Sequence, residues 1–296
     1  MITVIGSINM DMTFLCPEIP REGETVLGTE YFQNCGGKGA NQAVAAARMG
    51  SQVTMVGAVG KDGVGDALLE SLAMQNVDVS LVKRGKCGSG IAAISVDANG
   101  RNNIIVIPGS NNEVVEADVA AMEPMLARST CVLLQCEIPL KTVEYALRTA
   151  KQLGVLTILN PAPACELSDE ILKNTDILVP NEHELARIVG MPTDSEAACL
   201  AAAHALAKHG IPTVLVTRGE HGVLCLTDGE ERTYPAYHVQ AVDTTAAGDA
   251  FLGGLASALD ERLPLTVAIE RGQRVAAYAV QHFGAQQSYP MREELP

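Results

Sequence analysis

The chain has 296 residues, 47% of them hydrophobic and 19% charged, which excludes a disordered chain and supplies apolar mass for one large folded unit. Its formal net charge of −14, with only 21 Lys and Arg and no Trp, excludes a nucleic-acid partner, which needs clustered cations and stacking rings. A small phosphorylated ligand needs only local donors and stays open.

Residues 1–6 lack the basic leader and long apolar core of a secretion signal. No run reaches a membrane span; the Ala-rich stretch 197–207 is short and interrupted by His204. The eight cysteines form no CxxC pair, so they read as small core residues or surface thiols and not as a zinc site. The expectation is a cytoplasmic protein without a membrane partner.

Residues 2–6 form a short apolar run closed by Gly, a buried-strand signal. Asn9 and Asp11 follow just past its predicted end. They suit a turn, and equally a ligand at the carboxyl edge of an open sheet. Residues 13–33, with Pro17, Pro20, Gly23 and Gly28, read as an excursion from the core. Gly36-Gly37-Lys38-Gly39-Ala40-Asn41 then opens a helix. It is not a phosphate-binding Walker loop, because Lys38 is followed by Gly39. No Gly-x-Gly-x-x-Gly occurs anywhere, which counts against a nicotinamide enzyme. Three glycines, a Lys and an Asn in six residues exceed what a tight turn requires and would let backbone approach a polyhydroxylated ligand.

Residues 52–59 predict a strand and 63–75 a helix. Residues 91–96 and 103–107 predict a hairpin through Asn99-Gly100. Hairpin and excursion together could make a small β-layer over the main sheet. Strands at 132–134, 155–159, 177–179 and 213–217 then alternate with helices at 140–153, 182–189 and 196–209. This predicts an α/β fold, a mostly parallel central sheet with helices on both faces. Polar residues again follow the strand ends: Gln135 and Glu137, Asn160, Asn181 and Glu184, Arg218 and Gly219. Such a series fits one ligand-lined rim. Asn181 and Glu184 lie one helical turn apart, which suits either helix capping or a hydrated Mg²⁺ on a nucleotide.

Residues 237–242 predict a strand and 250–259 a helix with an apolar face at Phe251, Leu252, Leu255 and Leu259. Between them lies Asp243-Thr244-Thr245-Ala246-Ala247-Gly248-Asp249. Its small residues sit where unpaired helix N–H groups could cradle an anion. Asp249 reads either as a dipole-complementing acid or as a general base. Gly253 and Gly254 each cost about 1 kcal/mol inside a helix, so something packs close to that backbone.

These features together make the chain resemble the ribokinase family of sugar kinases, the PfkB-type carbohydrate kinases, over nearly its whole length. The loop at 36–41 is similar to the family's first signature, 243–249 to its second, and Asn181-Glu182-His183-Glu184 to its Asn-x-x-Glu motif. The resemblance implies a single kinase domain over 1–296 with a β-lid at about 12–35 and about 88–108, which in ribokinases pairs into a dimer clasp. It implies Asp249 as the base on a sugar 5-hydroxyl and Ala246, Ala247 and Gly248 as the anion hole. Asn9, Asp11, Gly37, Lys38, Gly39, Asn41 and Glu137 would hold the sugar. Asn181, Thr217, Arg218, Gly219, Glu220, His221, Gly222, Gly248 and Gln273 would meet ATP, with Glu184 acting through Mg²⁺. Asp243, Thr245, Ala279, His282, Gly284 and Ser288 would bind K⁺.

The leading expectation is an ATP-dependent D-ribose 5-kinase. Asn at position 9 is the ribokinase pattern and can meet a 2-hydroxyl; related deoxyribose kinases carry an apolar residue there. Met10 stands where ribokinases often have a smaller residue. The alternatives are a kinase for 2-deoxyribose, another sugar or a nucleoside, and a non-catalytic sugar sensor on the same fold.

Overall fold

The computed structural model describes residues 1–295. Its strands are β1 (Ile2–Ile5), β2 (Asn9–Leu15), β3 (Glu30–Gly36), β4 (Val53–Val59), β5 (Val77–Arg84), β6 (Gly90–Val96), β7 (Asn102–Ile107), β8 (Cys131–Leu134), β9 (Leu156–Leu159), β10 (Ile177–Leu178), β11 (Thr213–Thr217), β12 (Val223–Thr227) and β13 (Glu230–Tyr234). Its helices are α1 (Lys38–Arg48), α2 (Gly63–Met74), α3 (Glu116–Ala121), α4 (Glu123–Leu126), α5 (Leu140–Gln152), α6 (Asp169–Lys173), α7 (Glu182–Val189), α8 (Glu196–Ala207), α9 (Ala247–Asp260) and α10 (Leu265–Ala279).

Nine strands make the main sheet in the order β13-β12-β11-β10-β9-β8-β1-β4-β5. From β11 through β5 neighbours are parallel, while β12 and β13 close one edge antiparallel. The central strands are apolar throughout because helices cover both of their faces. Alternate residues divide between two cores. Val4, Leu133, Ile158 and Leu215 pack with α1, α2, α9 and α10. Ile5, Leu134, Leu159 and Val216 pack with the helices α3 to α8 on the other face. The parallel strands therefore share one carboxyl edge, where their loops converge.

A second sheet of four strands, ordered β3-β2-β6-β7, stands apart from the first. The predicted hairpin is present as β6 and β7, antiparallel from Ile91 against Ile107 to Val96 against Asn102. Every residue of β7 is exposed. No helix among the described residues is long and apolar enough to cross a membrane. All eight cysteines are free.

Two expectations are corrected. Asn9 and Asp11 do not lie in a turn after β1. They begin β2 of the small sheet, where Asn9 pairs with Gly36 and Gly90. Residues 237–242 alternate like a strand but are exposed and join no sheet; the edge position is already filled by β13, which Pro235 ends. The helix predicted at 250–259 starts earlier, at Ala247. Strands β5, β12 and β13 and helices α3, α4, α6 and α10 are additions to the predicted elements. The turn between β12 and β13, Asp228-Gly229 at φ 50° and 80°, is a hairpin signal in its own right.

Candidate active site

Close approaches of backbone organise the site. A Cβ on Gly253 would meet the Ala45 Cβ at 2.3 Å, so α9 packs directly on α1. A Cβ on Gly254 would meet Gly272 Cα at 2.9 Å, which sets α9 against α10. The suspected close packing at this glycine pair is thus helix on helix from two sides. It places the first turns of α1 and α9 side by side at the carboxyl edge of the main sheet.

Asp249, in the first turn of α9, is 4% exposed. Asn41 Nδ2 donates to its Oδ2 at 3.0 Å and Gln42 Nε2 to its Oδ1 at 2.8 Å. Gln286 Nε2 holds the Asn41 Oδ1 at 3.0 Å. Gln42 also donates to Asn160 Oδ1 at 3.3 Å and accepts from Gln135 Nε2. The strand-end residues Gln135 and Asn160 therefore reach Asp249 through Gln42.

The loop before α9 is shaped for an anion. Ala246 is left-handed at φ 57°, a conformation costly for a residue with a Cβ. The N–H groups of Ala246 and Gly248 have no backbone acceptor among the described residues, whereas Ala247 N–H turns back to Thr244 O at 3.3 Å. The free N–H groups and the dipole of a 14-residue helix favour negative charge there.

The small sheet brings further groups to the same place. Ile8 N–H donates to Asn111 Oδ1 at 2.9 Å, which fixes that amide's orientation. Asn111 Nδ2 then donates to Asn9 Oδ1 at 2.7 Å, leaving Asn9 Nδ2 as the donor for anything else. Asp11 lies over Gly36, where a Cβ would come within 2.3 Å of its carboxylate. Burial, with Glu137 and Asp249 nearby, pushes the Asp11 carboxyl up to about 6, against the pull of Lys38. Asp249 chiefly, with Glu137, Glu184 and Asp11, raises the Lys38 ammonium above its ordinary value although burial opposes this. Glu137 Oε2 accepts from the backbone N–H of Lys38 at 3.2 Å and from the Ser7 hydroxyl. Gly37, at φ 89°, opens α1; a Cβ there would meet Asn9 N at 2.7 Å.

Asn9, Asp11, Lys38, Asn41, Glu137 and Asp249 thus form one charged constellation around Gly37 and Gly39. Glu184 belongs to its edge: burial raises its carboxyl, and Lys38 and Asp249 act on it. Asn181 caps α7 by accepting from Glu184 N–H, while Glu184 Oε2 accepts from Asn181 N–H, each at 2.8 Å. The capping alternative is therefore realised. Thr217 bridges to Asn181.

Other predicted residues spend their polar groups elsewhere. The Arg218 guanidinium is paired with Glu182 at 3.2 Å and Glu196 at 2.9 Å. Gln273 donates to the carbonyls of Tyr234 and Pro235. Glu220 and His221 are exposed on the short turn 219–221, and Gly222 packs against Tyr234 O. Asp243 Oδ1 accepts from Thr245 N–H at 2.9 Å and Oδ2 from Gly284 N–H at 3.0 Å. Burial opposes ionisation of Asp243, but these hydrogen bonds outweigh it and hold the carboxyl below its usual range. Residues 242 and 243 also bond Val280 O, so the loops at 243–245 and 280–284 lie together. His282 Nδ1 contacts Tyr278 O, Ser288 Oγ donates to Ala285 O, and Ala279 O accepts from His282 N–H. No cluster of three or more His, Cys, Asp or Glu among the described residues could hold a metal.

Gln42, Asn111 and Gln286 escaped prediction. Gln42 directly follows the first signature and is a buried polar residue in an alanine-rich helix, a signal in itself.

The family described as pfkB family carbohydrate kinase matches residues 1–292. The chain is 41% identical over 294 residues to the ribokinase of Haemophilus influenzae, covering 99% of this chain and 96% of that one. It is 38% identical over 296 residues to the deoxyribokinase of Salmonella typhi, covering 99% and 97%. A structure of Arabidopsis thaliana ribokinase complexed with ribose and ATP superposes with a TM-score of 0.93 at 31% identity, covering 99% and 96%. Ribokinase from Thermotoga maritima superposes with a TM-score of 0.91 at 36% identity, covering 99% and 97%.

Proposed function

This chain belongs to the pfkB family of carbohydrate kinases, and on that footing we propose that it transfers the γ-phosphoryl group of ATP to the 5-hydroxyl of D-ribose. The observation that carries the reading is Asp249, a buried carboxylate at a helix N-terminus with both oxygens oriented by amides.

The sugar lies between the small sheet and α1. Asn9, Asp11, Lys38, Asn41 and Glu137, with the backbone of Gly37 and Gly39, hold its hydroxyls. Asp249 accepts the proton of the 5-hydroxyl as that oxygen bonds to the γ-phosphorus. The bond from phosphorus to the bridging oxygen breaks, and ADP leaves. The free N–H groups of Ala246 and Gly248 meet charge on the transferring group. Such a transfer is mainly positioning and charge stabilisation. ATP lies across the loops of Asn181 and residues 217–222. Mg²⁺ bound with the nucleotide would neutralise phosphate charge, and Glu184 would hold its water. K⁺ between the loops 243–245 and 279–288 would steady the anion hole from behind.

The small sheet acts as a lid that excludes water during transfer. Its exposed Tyr31, Phe32, Ile104, Ile105, Val106 and Ile107 support a homodimer formed through the lid. A cytoplasmic location accords with eight free cysteines. The deoxyribokinase relative makes 2-deoxyribose the second reading. Buried, oriented Asn9 favours ribose, because a site that hydrogen-bonds a hydroxyl rejects its absence.

The test is ADP release from ATP·Mg²⁺, with and without K⁺, across ribose, 2-deoxyribose, fructose, ribulose and several nucleosides. Preferential, K⁺-stimulated turnover of ribose is expected. Turnover only with another acceptor would overturn the sugar, and sugar binding without turnover would favour the sensor.

A further inference from the structure

Beneath Asp249 runs a line of buried amides, Gln135, Gln42 and Asn160. Gln42 and Gln135 are both 0% exposed. The orientation of each follows from the last. Asn160 Nδ2 donates to Val179 O at 2.9 Å, so Asn160 Oδ1 must accept. Gln42 Nε2 therefore faces both Asn160 Oδ1 and Asp249 Oδ1, which uses its two hydrogens. Gln42 Oε1 is left to accept from Gln135 Nε2. Gln135 Oε1 is then a buried polar atom without a partner, pressed against Gly6.

An orphaned buried oxygen is unfavourable, and replacing buried amide pairs by apolar groups of the same shape is often neutral or stabilising. Packing alone gives no reason for three amides here. Their one charged terminus is Asp249. The gap they span is set by the Gly253 contact between α1 and α9, next to which the Gln42 side chain reaches from one helix to the other.

We propose that Gln42, backed by Gln135, is a positioning residue that locks the Asp249 carboxylate in its proton-accepting orientation. The inference rests on the kinase reading of Asp249. Asn41 can hold Oδ2 while also facing the sugar, but among the described residues only Gln42 holds Oδ1, from behind. Without it the carboxylate can rotate about its Cβ–Cγ bond and its attacking geometry is lost.

The experiment compares Gln42→Met and Gln135→Met with the parent enzyme, using whichever sugar the parent turns over, and repeats Gln42→Met on an Asp249→Asn background. The expected loss in kcat is roughly 100-fold for Gln42→Met and about tenfold for Gln135→Met, with sugar and ATP KM within about twofold. On the Asp249→Asn background Gln42→Met should cost less than twofold, because the two residues act as a unit. The thermal midpoint should stay about level for Gln135→Met, which removes one orphaned oxygen and leaves another, and fall for Gln42→Met, which leaves Gln135 Nε2 and Asn160 Oδ1 unpaired. Equal kcat in the variants, a KM rise with kcat unchanged, or a full additional loss without the Asp249 carboxylate would overturn the proposal. Should Gln42→Met fail to fold, Gln135→Met carries the same split. A wrong sugar assignment shows in the parent enzyme's acceptor preference and not in these ratios. A parent without turnover on any acceptor removes both readings.

Discussion

Asn41 and Asp249, 208 positions apart, meet through a 3.0 Å hydrogen bond from the Asn41 amide to the Asp249 carboxylate. Each belongs to a separate Gly-rich loop, and each lies in the first turn of the helix its loop opens. The packing of α9 on α1 through Gly253 is what brings the two loops to one point. Sugar-holding and proton-accepting groups are therefore parts of one helix pair.

If Asp249 takes the proton, Asp249→Ala should lower kcat by about 10³-fold or more while the ribose dissociation constant stays nearly unchanged. Steady-state kinetics with calorimetric sugar titration checks this. Turnover within tenfold of the parent would remove the base assignment.

Asn9 offers its Nδ2 because Asn111 occupies its Oδ1. Asn9→Leu should reduce kcat/KM for ribose by roughly 10- to 100-fold, since the 2-hydroxyl is left buried and unpaired. The loss with 2-deoxyribose should be several-fold smaller. Equal losses with both sugars would show that Asn9 does not read that hydroxyl.

The Asp11 carboxyl titrates near 6 in the folded chain against an ordinary value of 3.8, chiefly because it is buried and then because Glu137 and Asp249 are close. The folded state thus binds the extra proton between those values. Stability from this group is fully present at low pH and is lost as pH rises through about 6. Asp11→Asn, which cannot ionise, should raise the thermal midpoint of the unliganded protein at pH 8 and raise it clearly less at pH 4.5. The same shift at both pH values would contradict this.

Gly253 has no room for a side chain, with Ala45 Cβ at 2.3 Å and Ala46 N at 2.7 Å from an added Cβ. Gly253→Ala should cost about 1–3 kcal/mol in urea unfolding and also lower kcat, because the α1–α9 spacing sets the Asn41 and Gln42 contacts. Unchanged stability would mean that the helices separate freely.

Legibility in the chain varied with how local the signal was. Asn41 and Asp249 stand in short signatures whose small residues and polar ends are unusual by themselves. The strand-end series Gln135, Glu137 and Asn160 could be read because parallel strands must share one rim. Asn111 carries no such mark: it reaches Asn9 across 102 positions from a short turn after β7. Arg218, which the family resemblance assigns to the nucleotide, is paired with Glu182 and Glu196, and neither partner is adjacent in sequence. Residues 237–242 have strand-like alternation, and only the finished sheet order reveals that no edge is left for them.

The most direct measurement is the ³¹P NMR spectrum of the product formed from ATP·Mg²⁺ and D-ribose in K⁺ buffer, by the parent enzyme and by Asp249→Asn. The account predicts a single phosphomonoester on the 5-oxygen from the parent and almost none from the variant in the same time. A phosphate at another ribose oxygen, or equal yields from the two proteins, would contradict it.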